Sequence, residues 1–169
     1  ITYNELYDQV CKMANVLLDK GIKKGDRVCI YLPMIPELAI AMLACARIGA
    51  VHSVVFAGFS AAALSSRITD CEAKMVITSD GSYRGNKVID LKSIVDEALQ
   101  TCPTIESVLV ANRTNTACNW VEGRDFKLED LMTSASANNV AQIMDAEDPL
   151  FILYTSGSTG KPKGMVHTT

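Results

Sequence analysis

"RVCIYLPMIPELAIAMLACARIG", residues 27 to 49, joins two kinds of periodicity. Arg27 to Leu32 is a short apolar run without alternation, closed by Pro33, which has no N–H to give to a strand ladder. Pro36 then stands where a helix accepts it, in the first turn, and Gly49 follows the last apolar position, where helices stop. A strand apolar on both faces, followed at once by a helix, is one unit of a parallel sheet covered on both sides. The alternation continues outward in both directions. Upstream, Thr2 and Glu5 have the spacing of a capping box, and Leu6, Val10, Met13, Ala14, Leu17 and Leu18 recur at helical spacing until Gly21. Downstream come a strand at "VHSVVF" (51–56), a helix at "SAAALSSRITDCEA" (60–73) and a strand at "KMVITSD" (74–80). A helix at "LKSIVDEALQTC" (91–102), ended by Pro103, and a strand at "ESVLVAN" (106–112) complete the series. The order predicts an α/β fold, a largely parallel sheet with helices on both faces.

The organisation follows from this rhythm. Residues 1–111 form a βα-repeat region. Residues 112–149 are a polar connecting excursion with a short helix-like "KLEDLMTSA" (127–135) and an acidic "DAEDP" (145–149). Residues 150–169 are a strand, a loop and a second strand, because "PLFILYTS" (149–156) reads as a buried strand and "GMVHTT" (164–169) is rich in β-branched residues.

At 169 residues and 49% hydrophobic content the chain can bury a sizeable core. A formal net charge of −3 argues against a polyanion-binding surface and so against nucleic acid as a partner. The longest apolar run, Leu38 to Ala46, ends at Arg47 and is too short to cross a bilayer, so no membrane role is expected. The first residues, "ITYNELYDQV", carry no leader-like pattern. Six cysteines, Cys11, Cys29, Cys45, Cys71, Cys102 and Cys118, lie far apart with no C-x-x-C pair, which argues against metal binding and for buried free thiols in a reducing, cytoplasmic setting. His52 and His167 have no partner nearby in sequence and read as packing or hydrogen-bonding residues. Asp145, Glu147 and Asp148 read as a solvated turn.

The chemistry concentrates in "YTSGSTGKPKG", residues 154–164. Glycines let the backbone approach an anion closely so that N–H groups converge on it, Ser156, Ser158 and Thr159 add hydroxyl donors, and Lys161 and Lys163 add charge. The loop is built to hold phosphate, yet it is not a Walker A loop. Two residues separate Gly157 from Gly160–Lys161 where that motif needs four, and Pro162 replaces the Ser or Thr. Composition alone leaves a mobile Gly/Ser linker as the alternative.

"YTSGSTGKPKGMVHTT" (154–169) closely resembles the phosphate-binding signature of the acyl-adenylate-forming enzymes, the superfamily of acyl-CoA synthetases, luciferases and peptide-synthetase adenylation domains. "ITYNELYDQVCKMANVL" (1–17), the run from Gly25 to Ile68 and "YRGNKV" (83–88) look like its short-chain branch, acetyl-CoA synthetase and its relatives. The resemblance covers essentially the whole chain and is weakest over 112–144, where "GRDFKLEDLM" (123–132) keeps part of a segment richer in tryptophan in many relatives.

The resemblance implies a two-step ligase. A carboxylate such as acetate attacks the α-phosphorus of ATP, giving an acyl-adenylate and pyrophosphate, and the CoA thiol then displaces AMP. It places Thr155, Ser156, Gly157, Ser158, Thr159, Gly160 and Lys161 around the β- and γ-phosphates, with Mg²⁺ on the phosphate oxygens and no ligand for it assigned in this chain. It places Arg84, Gly85, Asn86 and Lys87 at the CoA phosphates, residues that by composition alone read as solvated loop charges. Phe56, Ala57 and Gly58 form the other edge of that site, with Ala57 standing where a second glycine is frequent. It also implies that the chain is the N-terminal-region part of a larger enzyme. The acyl pocket, the adenine motifs and a C-terminal domain bearing the adenylation lysine lie outside it, so no catalytic residue is assigned here. A propionate-preferring relative, or a non-catalytic nucleotide- or CoA-binding module on the same scaffold, remains open at this point.

Overall fold

The computed structural model describes residues 1–155 and 162–169. Helix α1 (Tyr3–Asp19) opens on the expected capping box: the Glu5 N–H donates to Thr2 Oγ1 at 3.3 Å and the Thr2 N–H donates to the Glu5 carboxylate at 2.6 Å. Then follow β1 (Arg27–Tyr31), α2 (Pro36–Ile48), β2 (Val51–Val54), α3 (Ala61–Cys71) and β3 (Met75–Ser79). A hairpin of β4 (Gly81–Arg84) and β5 (Lys87–Asp90) precedes α4 (Leu91–Leu99) and β6 (Ser107–Ala111). The chain continues through β7 (Asp125–Lys127), α5 (Leu128–Ser134), β8 (Pro149–Thr155) and β9 (Lys163–Thr168).

Seven strands form one sheet in the order β7-β6-β3-β1-β2-β8-β9, parallel throughout except for the antiparallel pair β8–β9. Side chains alternate across each central strand. Val28, Ile30, Met75, Ile77 and Leu109 pack with α1, α2 and α5, whereas Cys29, Tyr31, Val76, Val108 and Val110 pack with α3 and α4. Both faces are therefore dry, which is why these strands read as unbroken apolar runs; each buried Ile, Leu or Val contributes about 1.5–3 kcal/mol. Five of the six cysteines are buried and all six are free thiols.

Two expectations change. The strand at 149–155 is not buried: Ile152 packs against the second layer, but Leu153 is 47% exposed, because the helices stack over the centre of the sheet and β8 lies next to its edge strand. "SYRGNKV" is not an open loop but the antiparallel hairpin β4–β5, with Arg84 opposite Lys87 and Gly85 turning at φ +60°. Within 112–149, β7 adds to the sheet beside β6 and the Leu128 side chain of α5 is buried in the first core layer. Among the described residues no helix is long and apolar enough to cross a membrane.

Candidate functional site

The winding of the chain creates the site. From β1 the chain leaves to α2 on one face, and from β3 it leaves toward α4 on the other. Where neighbouring parallel strands send their connections to opposite faces, a crevice opens beyond their carboxyl ends. A groove of about 530 Å³ lies there, bounded by the segments that follow β1 and β2 and by the β4–β5 hairpin that follows β3.

Its floor is apolar, with Leu32, Leu38 and Val55. Its rim carries Met34, Phe56 and Tyr83, all large and largely exposed, together with Arg84 and Arg113. Phe56, Ala57, Gly58 and Arg84, which the resemblance places at one binding site, meet at a single groove although Gly58 and Arg84 are 26 positions apart in the chain (84 − 58). Gly85, Asn86 and Lys87 form the hairpin turn beyond the lining. Ala57 lines the groove and also packs against the second core layer, so its methyl is shared between ligand space and core.

Side chains behind the rim hold it in place. The Tyr31 hydroxyl, at the end of β1, donates to the Phe59 carbonyl at 2.8 Å and ties the 56–60 segment to the sheet; burial pushes its pKa up to about 12. The Arg67 guanidinium on α3 lies 4.8 Å from the Phe59 ring centroid and 5.5 Å from that of Tyr154, linking this segment to the end of β8. The Tyr154 hydroxyl donates to Asp70 at 2.6 Å, and its pKa is raised by burial and by that carboxylate. Of the residues expected to hold ATP phosphates, Thr155 ends β8 opposite Lys163 of β9, the strand that the sequence places after the loop. Ser156, Gly157, Ser158, Thr159, Gly160 and Lys161 lie outside the described residues.

Asp80 organises the far wall. Its carboxylate accepts from the backbone N–H groups of Gly81, Arg113, Thr114 and Thr116 and from the Thr114 hydroxyl. Burial alone would raise its pKa, but these backbone donors outweigh that and hold it below the usual carboxylate value. Gly81 admits the loop: a Cβ there would sit 2.5 Å from Thr114 Oγ1 and 3.0 Å from the Ile89 carbonyl. Neither Asp80 nor Arg113 stood out in the sequence. The one available signal was position, since Arg113 follows the carboxyl end of a buried strand.

His52 and His167 sit either side of Phe151 across β2, β8 and β9, with ring centroids 5.6 and 4.4 Å from it, away from the groove. In the acidic turn, Asp148 pairs with Lys24 at 2.6 Å. Among the described residues no group of three or more His, Cys, Asp or Glu side chains is placed to hold a metal ion.

The family described as AMP-binding enzyme matches residues 1–169, the full chain. The chain belongs to the AMP-binding enzyme family. This AMP-binding chain is 59% identical to the acetyl-coenzyme A synthetase of Syntrophus aciditrophicus and 60% identical to acetyl-coenzyme A synthetase 2 of Pseudomonas aeruginosa. Each alignment covers 100% of this chain and 26% of the relative, so the chain spans about a quarter of the length of the curated relatives it matches. Among solved structures it is similar to an acetoacetyl-CoA synthetase from Streptomyces lividans, with a TM-score of 0.89 and 34% identity over 99% of this chain and 25% of that one.

Proposed function

We infer that this AMP-binding chain is the N-terminal-region part of an AMP-forming acetate–CoA ligase. The observation that carries the reading is the groove that gathers Phe56, Ala57, Gly58 and Arg84 at the carboxyl ends of β1, β2 and β3. An apolar floor with an aromatic and cationic rim suits a ligand with a long neutral arm and phosphates at one end, which is the chemistry of CoA. The similarity to acetyl-coenzyme A synthetases over the whole chain supports acetate as the acid.

In this reading ATP binds against the loop from Thr155 to Lys161. Backbone N–H groups, the Ser156, Ser158 and Thr159 hydroxyls and the Lys161 ammonium hold the β- and γ-phosphates and stabilise the charge that grows on departing pyrophosphate. Mg²⁺, when bound with ATP, would neutralise part of the same charge, and no residue of this chain is assigned to hold it. CoA enters the groove with its phosphates toward Arg84 and Lys87 and its pantetheine arm along Phe56, Ala57 and Gly58, which aims the thiol at the acyl-adenylate. The domains read from the sequence, 1–111, 112–149 and 150–169, are then parts of one larger nucleotide-binding domain. Substrates are small molecules, and the free buried thiols suit a reducing, cytoplasmic compartment.

The test is acid-dependent ATP–pyrophosphate exchange by the full-length protein with acetate, propionate and butyrate. Exchange should be fastest with acetate at equal concentration. A preference for propionate would replace the acid, and exchange with none of the three would remove the ligase reading.

A further inference from the structure

Arg113 lines the groove with Arg84 and lies over the Tyr83 ring, 5.7 Å from its centroid. Its backbone is aimed by Asp80, whose Oδ1 accepts the Arg113 N–H at 2.7 Å, while the Thr114 and Thr116 N–H groups donate to Oδ2 at 3.0 and 2.9 Å. Three backbone donors from one turn, those of Arg113, Thr114 and Thr116, on one carboxylate leave the root of the Arg113 side chain little freedom. The guanidinium has no ion pair among the described residues: the seven pairs involve Lys24, Arg27, Lys74, Lys92 and Arg124 as their cations. The Asp80 carboxylate, which anchors the turn from the end of β3, is taken up by backbone donors and a hydroxyl. The groove therefore holds a planar cation that is backed by a ring, fixed at its base and not neutralised. Such a fork matches a phosphate bidentately, which a lysine ammonium cannot do.

We propose that Arg113 is a further phosphate-binding residue of the groove, gripping a phosphate of CoA together with Arg84, and that Asp80 is the positioning residue that aims it. This rests on the reading of the groove as the CoA site. Asp80 acts through the turn and touches no ligand.

The experiment compares full-length wild type, Arg113→Ala, Arg113→Lys and Arg84→Ala in thioester formation with CoA and with pantetheine, which has the thiol arm and no phosphate. Loss of a charge-assisted contact lowers kcat/KM for CoA relative to pantetheine by roughly ten- to a hundredfold in Arg113→Ala. Arg113→Lys, which keeps the charge and the stem but not the fork, falls between and also serves should the alanine variant fold poorly. If Arg84→Ala lowers the ratio and both Arg113 variants leave it at the wild-type value, the Arg113 assignment is overturned and the CoA site stands. If neither residue affects it, the reading of the groove itself fails. If CoA and pantetheine suffer equally, Arg113 is structural. Asp80→Asn should lower the ratio in the wild type and add nothing in the Arg113→Ala background; a full additional loss there would overturn its positioning role.

Discussion

His52 lies in β2 at 5% exposure, with Nδ1 unpartnered and the ring stacked on Phe151. Burial disfavours the imidazolium and lowers its pKa to about 4. In the unfolded chain the same group titrates near about 6.5, so between these values the unfolded state binds the extra proton. The stability that a neutral His52 contributes is therefore complete above about pH 6.5 and is lost as pH falls toward 4, by on the order of 3 kcal/mol in total. Urea unfolding of the 169-residue chain at pH 7.5 and 4.5 should show wild type losing about 2–3 kcal/mol more between the two than His52→Leu does. Equal losses would mean that the imidazole is already protonated in the folded chain. That His52 has a packing role was legible from its lack of sequence neighbours able to ligate or relay. That it is neutral in the fold was not, because the burial comes from Phe151, 99 residues further along the chain (151 − 52).

At the level of elements, one ionic cluster decides how the stretch after β6 returns to the sheet. The Lys92 ammonium of α4, 1% exposed, meets Asp96 at 2.7 Å, Asp125 at 2.9 Å and the Asn119 carbonyl at 2.9 Å, and Arg124 bonds both carboxylates at 2.6 Å. Asp125 sits at the head of β7 with its side chain fully buried; burial pushes its pKa up, but Arg124, Lys92 and the Val121 N–H outweigh that and lower it. Such a cluster fixes geometry more than it adds net stability, whereas removal of one partner strands a buried charge. Lys92→Met should cost about 3–5 kcal/mol in urea unfolding, and Asp125→Asn added to it should recover part of that. A loss below about 1 kcal/mol would show that solvent already reaches the cluster. The helices and central strands were legible from periodicity, since each is specified by residues within a few turns of one another. The β4–β5 hairpin and β7 were not: they are short and polar, and they are held by Asp80, Lys92 and Arg124, contacts that no local pattern records.

For the molecule as a whole, the sheet joins a groove, at the carboxyl ends of β1, β2 and β3, to the strand pair β8–β9, between which the proposed phosphate-binding segment runs in sequence. Because the chain spans about a quarter of its curated relatives, the 169 residues alone should support no acid-dependent ATP–pyrophosphate exchange: reacting groups must be held within about 3–3.5 Å of one another, and the groups proposed to position acid and adenine are not in this sequence. Exchange above background by the purified chain would show that it carries an acid site of its own. The α/β class, the layering and the phosphate-loop signature were readable in the residues, because apolar periodicity and glycine, hydroxyl and lysine spacing are local properties of the chain. The meeting of Phe56, Arg84 and Arg113 at one rim, and the exposure of β8, were not. They depend on which strands neighbour which and on which face each crossover takes, and burial and electrostatics act between side chains through space, across separations that the order of residues does not encode.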